Sequence, residues 1–367
     1  MATRENDVWR LPESVRGDDL RGAGGAGPSK RWPLSQAAKD RLRRIVSRAP
    51  EAMVKVTGRA RGGAVGLKAH LDYITRNAKL AAETQNGTRI DNRHALRALT
   101  DDWLLANAVE ARGRPLPNAA QSVSVILSMP PGSLADRVES AARTWARDTF
   151  GTSHDWLMVR HDDTDHPHVH VSIRAVGPDG LRLAPNRTDL QNWRETFAKE
   201  LRRLGVEAEA TPRQARGAVR KATKAPIEQM ARKGVEPKVR KAERQAAERD
   251  AKAPPAERPE WNRTISARQA KIRDAYLAHA AELATGDAED RRLARDVERF
   301  VAEMPVALTR RQALAVELRR VLERENGAGG TKVGGPLKGE EVLHGARLRE
   351  AEQSRLDLPP GEPKRQR

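Results

Sequence analysis

Between about residue 50 and residue 210 the sequence alternates between β-prone and helical segments, which limits the fold more than any other feature. The β-prone segments are MVKVTG, VSVILSM, HDWLMVRH and HPHVHVSIRAV, the last of which alternates with a period of two. Three further segments, LKAHLDYITRN, LADRVESAARTWARDTF and DLQNWRETFAKELRRLG, carry apolar residues at helical spacing, and Gly205 is typical of a helix end. The alternation predicts an α+β or α/β domain with a central sheet, in which a short loop makes the last two strands an antiparallel hairpin.

The flanking segments differ from this domain in composition. Residues 213–244 carry eleven lysines and arginines against three acids, and apolar residues return at helical spacing only further on, where Thr309 and Gln312 form a capping-box pattern. The sequence therefore predicts five regions. They are a disordered or loosely docked basic arm (1–44), the sheet domain (45–212), a basic linker or DNA-contacting stretch (213–262), a helical region (263–326) and a disordered tail (327–367).

Composition restricts the function. The formal net charge is +18 and the isoelectric point about 10.7, which favours a polyanion, above all nucleic acid, as partner. The chain has no cysteine, so thiolate nucleophiles and cysteine-ligated metals are excluded and a metal must use His, Asp, Glu or backbone oxygen. No apolar run reaches the roughly 20 residues that span a bilayer, and the first residues lack a signal-peptide pattern. We therefore expect a cytoplasmic protein that is not inserted in a membrane.

Five of the nine histidines cluster around the last predicted hairpin. His168 and His170 alternate along one strand, so both imidazoles project to one face, and an antiparallel return would bring His161 beside them. Three neutral imidazoles form a facial set with open positions, which suits a divalent metal that also binds substrate. Asp163 can hydrogen-bond the far nitrogen of a ligand histidine, and His166 either replaces His161 as ligand or faces solvent. The alternative is a set of half-exposed histidines without a specific ion.

The chain has only two tyrosines, Tyr73 and Tyr276. Tyr276 shares an apolar helix face with Ile272 and Leu283, which is typical of a packed residue. Tyr73 lies in HLDYITRNAKL among polar residues, where it is either a boundary residue of an amphipathic helix or a nucleophile. A phenol has an unperturbed pKa near ~10, so a nucleophilic tyrosine needs a nearby metal or cation that favours the phenolate.

The segments HLDYITRNAKL, LSMPPGS and HDDTDHPHVHVSI resemble, in this order, the three motifs of the relaxases. Relaxases are mobilisation nucleases of conjugative plasmids in the histidine–hydrophobe–histidine endonuclease superfamily, and the T-DNA border endonucleases are related to them. The resemblance covers about residues 50–212, and its third motif is the most specific. Tyr73 precedes His161, as in relaxases, whereas rolling-circle replication initiators of the superfamily place the tyrosine after the histidines.

This resemblance implies an α+β fold with a central antiparallel sheet flanked by helices. It also implies site- and strand-specific nicking and rejoining of DNA at a plasmid transfer origin. By analogy, Tyr73 attacks the scissile phosphate and stays joined to the 5′ end, His161, His168 and His170 hold the metal, and Asp163 is the acidic partner. The implied cofactor is a divalent metal, magnesium or manganese.

The partners that the resemblance implies are single-stranded DNA at the nick site and the accessory and coupling proteins of a conjugation system. It further implies a bacterial cytoplasm and, through signals in such C-terminal tails, export with the DNA into a recipient cell.

Two positions depart from the family pattern. Arg174 stands where close relatives often carry Asn, so we expect it to contact phosphate instead. No second tyrosine lies near Tyr73, which excludes a two-tyrosine mechanism for that helix. The predicted DNA-contacting residues are Arg59, Arg61, Arg76, Lys79, Arg174, Arg213, Arg216, Arg220 and Lys221.

Two rival functions remain open on the sequence. The chain could be a DNA-binding accessory protein of the transfer complex that has lost cleavage, or a metal-dependent DNA hydrolase that uses water, with a merely structural tyrosine.

Overall fold

The computed structural model describes residues 34–111, 118–218, 223, 225–253 and 260–327. They divide into a sheet unit, Ser47–Thr211, and a helical unit that joins the described residues up to Val46 with those from Pro212 onward. Residues 1–33 of the predicted arm, 219–222, 224 and 254–259 of the predicted basic stretch and 328–367 of the predicted tail lie outside the described residues.

The sheet unit is built on six antiparallel strands in the order β1-β4-β6-β5-β2-β3. The strands are β1 Met53–Ala60, β2 Ala82–Thr84, β3 Arg89–Ile90, β4 Ser122–Ser128, β5 Trp156–His161 and β6 His168–Arg174. The helices of the chain are α1 Gln36–Val46, α2 Gly63–Ile74, α3 Arg93–Glu110, α4 Ala135–Phe150, α5 Arg187–Arg203, α6 Ala225–Arg232, α7 Lys238–Lys252, α8 Glu260–Leu283, α9 Ala288–Glu303 and α10 Arg310–Gly327. This confirms the α+β class, the central antiparallel sheet and the mostly helical C-terminal region.

Helices cover both faces of the sheet. On one face α4 and α5 pack Trp145 and Phe197 against Leu127 and the other inward residues of β4 and β6. On the other face α2 and α3 pack Leu71 and Trp103 over β5. The helix ends follow local rules: Asn186 and Asp189 form a capping box at the start of α5. Gly205, with φ of +73°, ends α5 in the left-handed conformation that glycine adopts without strain.

The helical unit has a separate core of α1, α8 and α9. Leu42 of α1, Tyr276 of α8 and Val297 of α9 are buried in this core, and the hydroxyl of Tyr276 donates to the carbonyl of Ala215 at 2.8 Å. The predicted packing of Tyr276 is therefore observed. The prediction of a disordered or loosely docked arm is wrong from Gln36 onward, because the apolar residues of α1 recur at helical spacing and the adjoining basic composition hid this pattern.

The basic stretch is largely helical where it is described. Helices α6 and α7 occupy much of residues 225–252, and α7 packs its small residues, among them Ala246 and Ala247, on the side of α10. At the start of α10, Thr309 and Gln312 make the predicted reciprocal capping contacts. No helix in the described part of the chain is long and apolar enough to cross a bilayer.

Candidate active site

Three histidines meet where β5 ends and β6 begins. His161 lies directly opposite His168 in the hairpin, and His170 follows two residues later on the same face. The ring centroids are 5.4 Å apart for His161–His168, 4.3 Å for His161–His170 and 5.4 Å for His168–His170. One nitrogen of each ring lies within 4.8 Å of those of the other two. This spacing is compact enough for the three rings to hold one ion.

Hydrogen bonds fix two of these rings. His168 donates from Nδ1 to the carbonyl oxygen of His166 at 2.9 Å, which leaves Nε2 with the lone pair. His161 donates from Nε2 to the carbonyl oxygen of Ile74 at 2.6 Å, which leaves Nδ1 with the lone pair and ties the ring to the end of α2. Such outer hydrogen bonds set the tautomer and orientation of ligand histidines. Asp163 does not perform this predicted task for His168, because its carboxylate approaches Nε2, at 3.7 Å, rather than the far nitrogen.

Burial favours the neutral form of two of these rings. It lowers the pKa of His161, and together with the neighbouring His161 and His168 it lowers the pKa of His170 to about 4. Neutral imidazoles are the form that binds metal, so few protons compete with an ion near neutral pH. The donor set therefore fits a divalent metal, whose identity the three nitrogens do not specify.

Tyr73 lies in the last turn of α2 with 62% of its surface exposed. Leu67, Leu71 and Ile74 of the same helix are buried, which turns the tyrosine toward solvent. Gly66 allows this helix to lie close to the preceding loop, because a Cβ at this position would fall 1.6 Å from the carbonyl oxygen of Arg61. The phenol is thus accessible while its helix is held firmly, as a nucleophile requires.

Arg76 links Tyr73 to the histidine loop. The chain turns after α2 through three consecutive residues in the left-handed region, Arg76, Asn77 and Ala78, with φ of 54°, 59° and 62°, a conformation that costs non-glycine residues energy. This turn places the Arg76 guanidinium 5.2 Å from the centre of the Tyr73 ring and its Nη2 2.5 Å from Asp163. The hydrogen bond to Asp163 raises the pKa of Arg76.

Several other predicted residues lie away from this site. His166 is exposed and does not belong to the group of three; its backbone carbonyl orients His168. Arg61 and Lys79 are exposed before and after α2. Arg213 and Arg216 belong to the helical unit. Arg220 and Lys221 lie outside the described residues.

The predicted phosphate contact of Arg174 is wrong. Its side chain is 4% exposed and donates to Asp155 at 2.5 Å and to Glu110 at 3.1 Å, at the end of β6 away from the histidines. The basic side chain is fully used by two carboxylates, which sequence spacing could not reveal because Glu110 lies 64 residues away.

Sequence reasoning missed His70. It lies on α2 one turn before Tyr73, accepts or donates a 2.8 Å hydrogen bond with the hydroxyl of Ser124, and contributes to the electrostatic lowering of the pKa of His170. Its spacing of three residues from Tyr73 was the available signal, since such residues lie on neighbouring helix positions.

The region that carries this site is similar to known proteins. The model of the family "Relaxase: MobA/VirD2-like, nuclease domain" matches residues 73–206. The T-DNA border endonuclease VirD2 of Rhizobium radiobacter is 27% identical over 163 residues, which cover 40% of this chain and 38% of that protein. VirD2 of Rhizobium rhizogenes is also 27% identical, with 37% of its length covered, and VirD2 of Agrobacterium fabrum is 26% identical, with 36% covered. The similarity thus spans less than two fifths of each of these relatives.

The matched residues begin at Tyr73 and include the histidine group, the Arg76–Asp163 pair and the strands β5 and β6 that carry the histidines. The order of the sequence motifs and the matched family model indicate the same similarity. Residues 73–206 of this chain are therefore similar to the nuclease domain of MobA/VirD2-like relaxases.

Proposed function

We propose that this chain nicks and rejoins single-stranded DNA at a plasmid transfer origin by transesterification. The observation that carries the proposal is an exposed phenol, Tyr73, linked through Arg76 and Asp163 to a compact group of three histidines. An exposed nucleophile beside a metal-binding set and a cation is the arrangement that phosphoryl transfer to a side chain needs.

In the proposed step the Tyr73 oxygen attacks the scissile phosphorus. The bond from phosphorus to the 3′ oxygen breaks, the tyrosine takes over the 5′ phosphate, and the phenolic proton leaves while the 3′ oxygen gains one. The numbers of bonds and charges are conserved, so the free 3′ hydroxyl can reverse the reaction and rejoin the strand.

Each group has a proposed role in this step. Arg76 lies with its positive charge over the Tyr73 ring, where it stabilises negative charge that develops in the transition state, and Asp163 holds the guanidinium in place. His161, His168 and His170 hold a divalent metal, magnesium or manganese, which when bound polarises the scissile phosphate.

The remaining parts of the proposal concern partners. The basic helix α7 contacts DNA phosphates without sequence preference. Accessory and coupling proteins of a conjugation system bring the origin to the enzyme in a bacterial cytoplasm, and the relaxase is exported with its covalently bound strand.

A covalent-adduct assay tests the function. Oligonucleotides that span a transfer origin and are labelled on either side of the nick are incubated with the protein and Mn²⁺, then denatured in detergent. We expect an adduct with the 5′-phosphate fragment in the native protein and none in Tyr73→Phe. The matched control is Tyr276→Phe, which removes the same hydroxyl from the buried tyrosine of the helical unit and should keep the adduct.

The other outcomes separate the rival functions. Cleavage without any adduct would indicate a water-using hydrolase, and binding without cleavage would indicate an accessory protein. An adduct that persists in Tyr73→Phe would overturn the nucleophile assignment alone.

A further inference from the structure

Strand β1 carries two exposed cations, Lys55 and Arg59, neither of which makes an ion pair within the described part of the chain. Regular alternation would place both on one face, since they are four residues apart. The pairing of β1 with β4, however, shifts its register between Val56 and Gly58, so Thr57 is an extra residue in a β-bulge. The bulge reverses the alternation, and the two cations project from opposite faces.

Lys55 lies on the histidine face. It is directly opposite Ile126 on β4, and Ile126 is directly opposite His170 on β6. Residues directly opposite in a ladder project to the same side. One row along, Met53, which is 46% exposed, stands in line with His168 across β4. A strand spacing of about 4.8 Å puts the Lys55 Cα roughly 10 Å from that of His170.

Arg59 lies on the other face. It is opposite Val123, which alternates with Val125, and the latter packs in the core beneath α4 and α5. The next residue, Ala60, is buried with Leu67 of α2 in the core on the histidine side. The positions of Val123 and Ala60 therefore both indicate that the Arg59 side chain points away from the histidines.

We propose that Met53 and Lys55, here called the β1 surface, bind the substrate strand as it runs past the histidine group. Lys55 contacts a phosphate next to the scissile one, and Met53 packs against a sugar. The proposal rests on the proposed function for the position of the scissile phosphate. Both side chains are exposed, and β1 is the terminal strand of the described sheet.

The contact is electrostatic and independent of sequence. A lysine that neutralises one phosphate of a single strand contributes about −0.7 to the slope of log K against log salt concentration. Its loss therefore weakens binding about fivefold at 0.1 M salt. Arg59, with the same charge on the same strand, contributes nothing on this face and is the matched control.

Binding of a fluorescent single-stranded origin oligonucleotide is measured across a salt series in a Tyr73→Phe background, where no chemistry occurs. We expect Lys55→Gln to weaken binding about fivefold at 0.1 M salt and to lower the salt slope by about 0.7. Met53→Glu, which adds a carboxylate on the same face, should weaken binding by a similar factor. Arg59→Gln should change it less than twofold.

Neutral methylphosphonate linkages then locate the contact. One such linkage, within two nucleotides of the nick, should abolish the difference between the parent protein and Lys55→Gln. Equal effects of Lys55→Gln and Arg59→Gln, or no position that abolishes the difference, would overturn the β1 surface while leaving the adduct assay intact. If the native protein forms no adduct but Lys55→Gln still weakens DNA binding, the proposed function is contradicted and the role of the β1 surface in binding is supported.

Discussion

The two ends of strand β6 use the same face of the sheet for opposite purposes. At its beginning, one ring nitrogen of His168 and one of His170 converge with one of His161. At its end, the equally polar Arg174 is buried and held by Glu110 and Asp155. Polar groups that satisfy one another hold a structure together, whereas converging groups with unused bonding capacity indicate a site.

The largest effect should come from the histidine end. We predict that His168→Ala lowers metal-dependent nicking by more than about 100-fold, since loss even of an outer partner of a ligand histidine costs about 10–100-fold. DNA affinity should fall only a few-fold, because phosphate contacts elsewhere remain. Nicking, Mn²⁺ titration calorimetry and DNA binding measure the three quantities separately.

The matched control at this end is His166→Ala. Its exposed ring lies outside the group of three while its backbone carbonyl remains to orient His168. This variant should bind Mn²⁺ like the native protein. Equal loss of nicking and DNA binding in His168→Ala would show that the ring is structural, and loss of Mn²⁺ binding in His166→Ala would restore that residue as a ligand.

The opposite end of β6 should respond in stability rather than chemistry. We predict that Arg174→Met lowers the free energy of unfolding by about 2–3 kcal/mol, below the usual cost of breaking a buried pair because Glu110 and Asp155 retain some exposure. Chemical denaturation measures this change. Mn²⁺ affinity should be unchanged.

A triple variant separates unpaired charge from lost packing. Replacing both partners as well, by Glu110→Gln and Asp155→Asn, should recover much of the stability that Arg174→Met loses. If Arg174→Met loses Mn²⁺ binding without any loss of stability, the two ends of β6 are coupled. That result would contradict the assignment of one end to stability and the other to metal binding.

The smallest predicted effect is on pH dependence. Burial lowers the pKa of His170 to about 4, against about 6.5 in an unfolded chain. The unfolded state therefore takes up the proton first as the pH falls. The contribution of the neutral His170 ring to the free energy of unfolding is fully present above pH 6.5 and is lost progressively toward pH 4. Thermal unfolding in EDTA should show a decrease of a few degrees between pH 7.5 and 5.

The His170→Asn variant should show a shallower decrease over this range, because it cannot titrate there. The Arg174 guanidinium contributes no titration in this range, since its carboxylates raise its pKa further and it stays protonated throughout. A parallel decrease in native protein and His170→Asn would assign the pH dependence to other groups.

The sequence alone predicted a large part of the fold and of the candidate site. Period-two alternation across HPHVHVSI and the short loop before it were sufficient to place His161 beside His168, because antiparallel pairing over a short loop leaves little choice of register. Helical spacing was sufficient for α2, α4 and α5. The roles of Tyr73 and the histidines as nucleophile and ligands stay predictions.

Other elements were not predictable in this way. The strands β2 and β3 are only three and two residues long, too short for a periodic pattern, and α1 and α3 were not recognised among polar residues. The side of the sheet on which Arg59 lies depends on one extra residue in β1, and no local pattern reveals which strand residue will bulge.

The local sequence determined which side chains share an element, since alternation and helical spacing are properties of neighbouring residues. Only the tertiary structure decided which charges meet across the chain. Asp163 pairs with Arg76, 87 residues away, and Glu110 pairs with Arg174, 64 residues away. The interaction between two charges depends on their distance in space and not on their separation in the sequence. Folding therefore placed one arginine, Arg76, in the site and another, Arg174, in a buried ion pair.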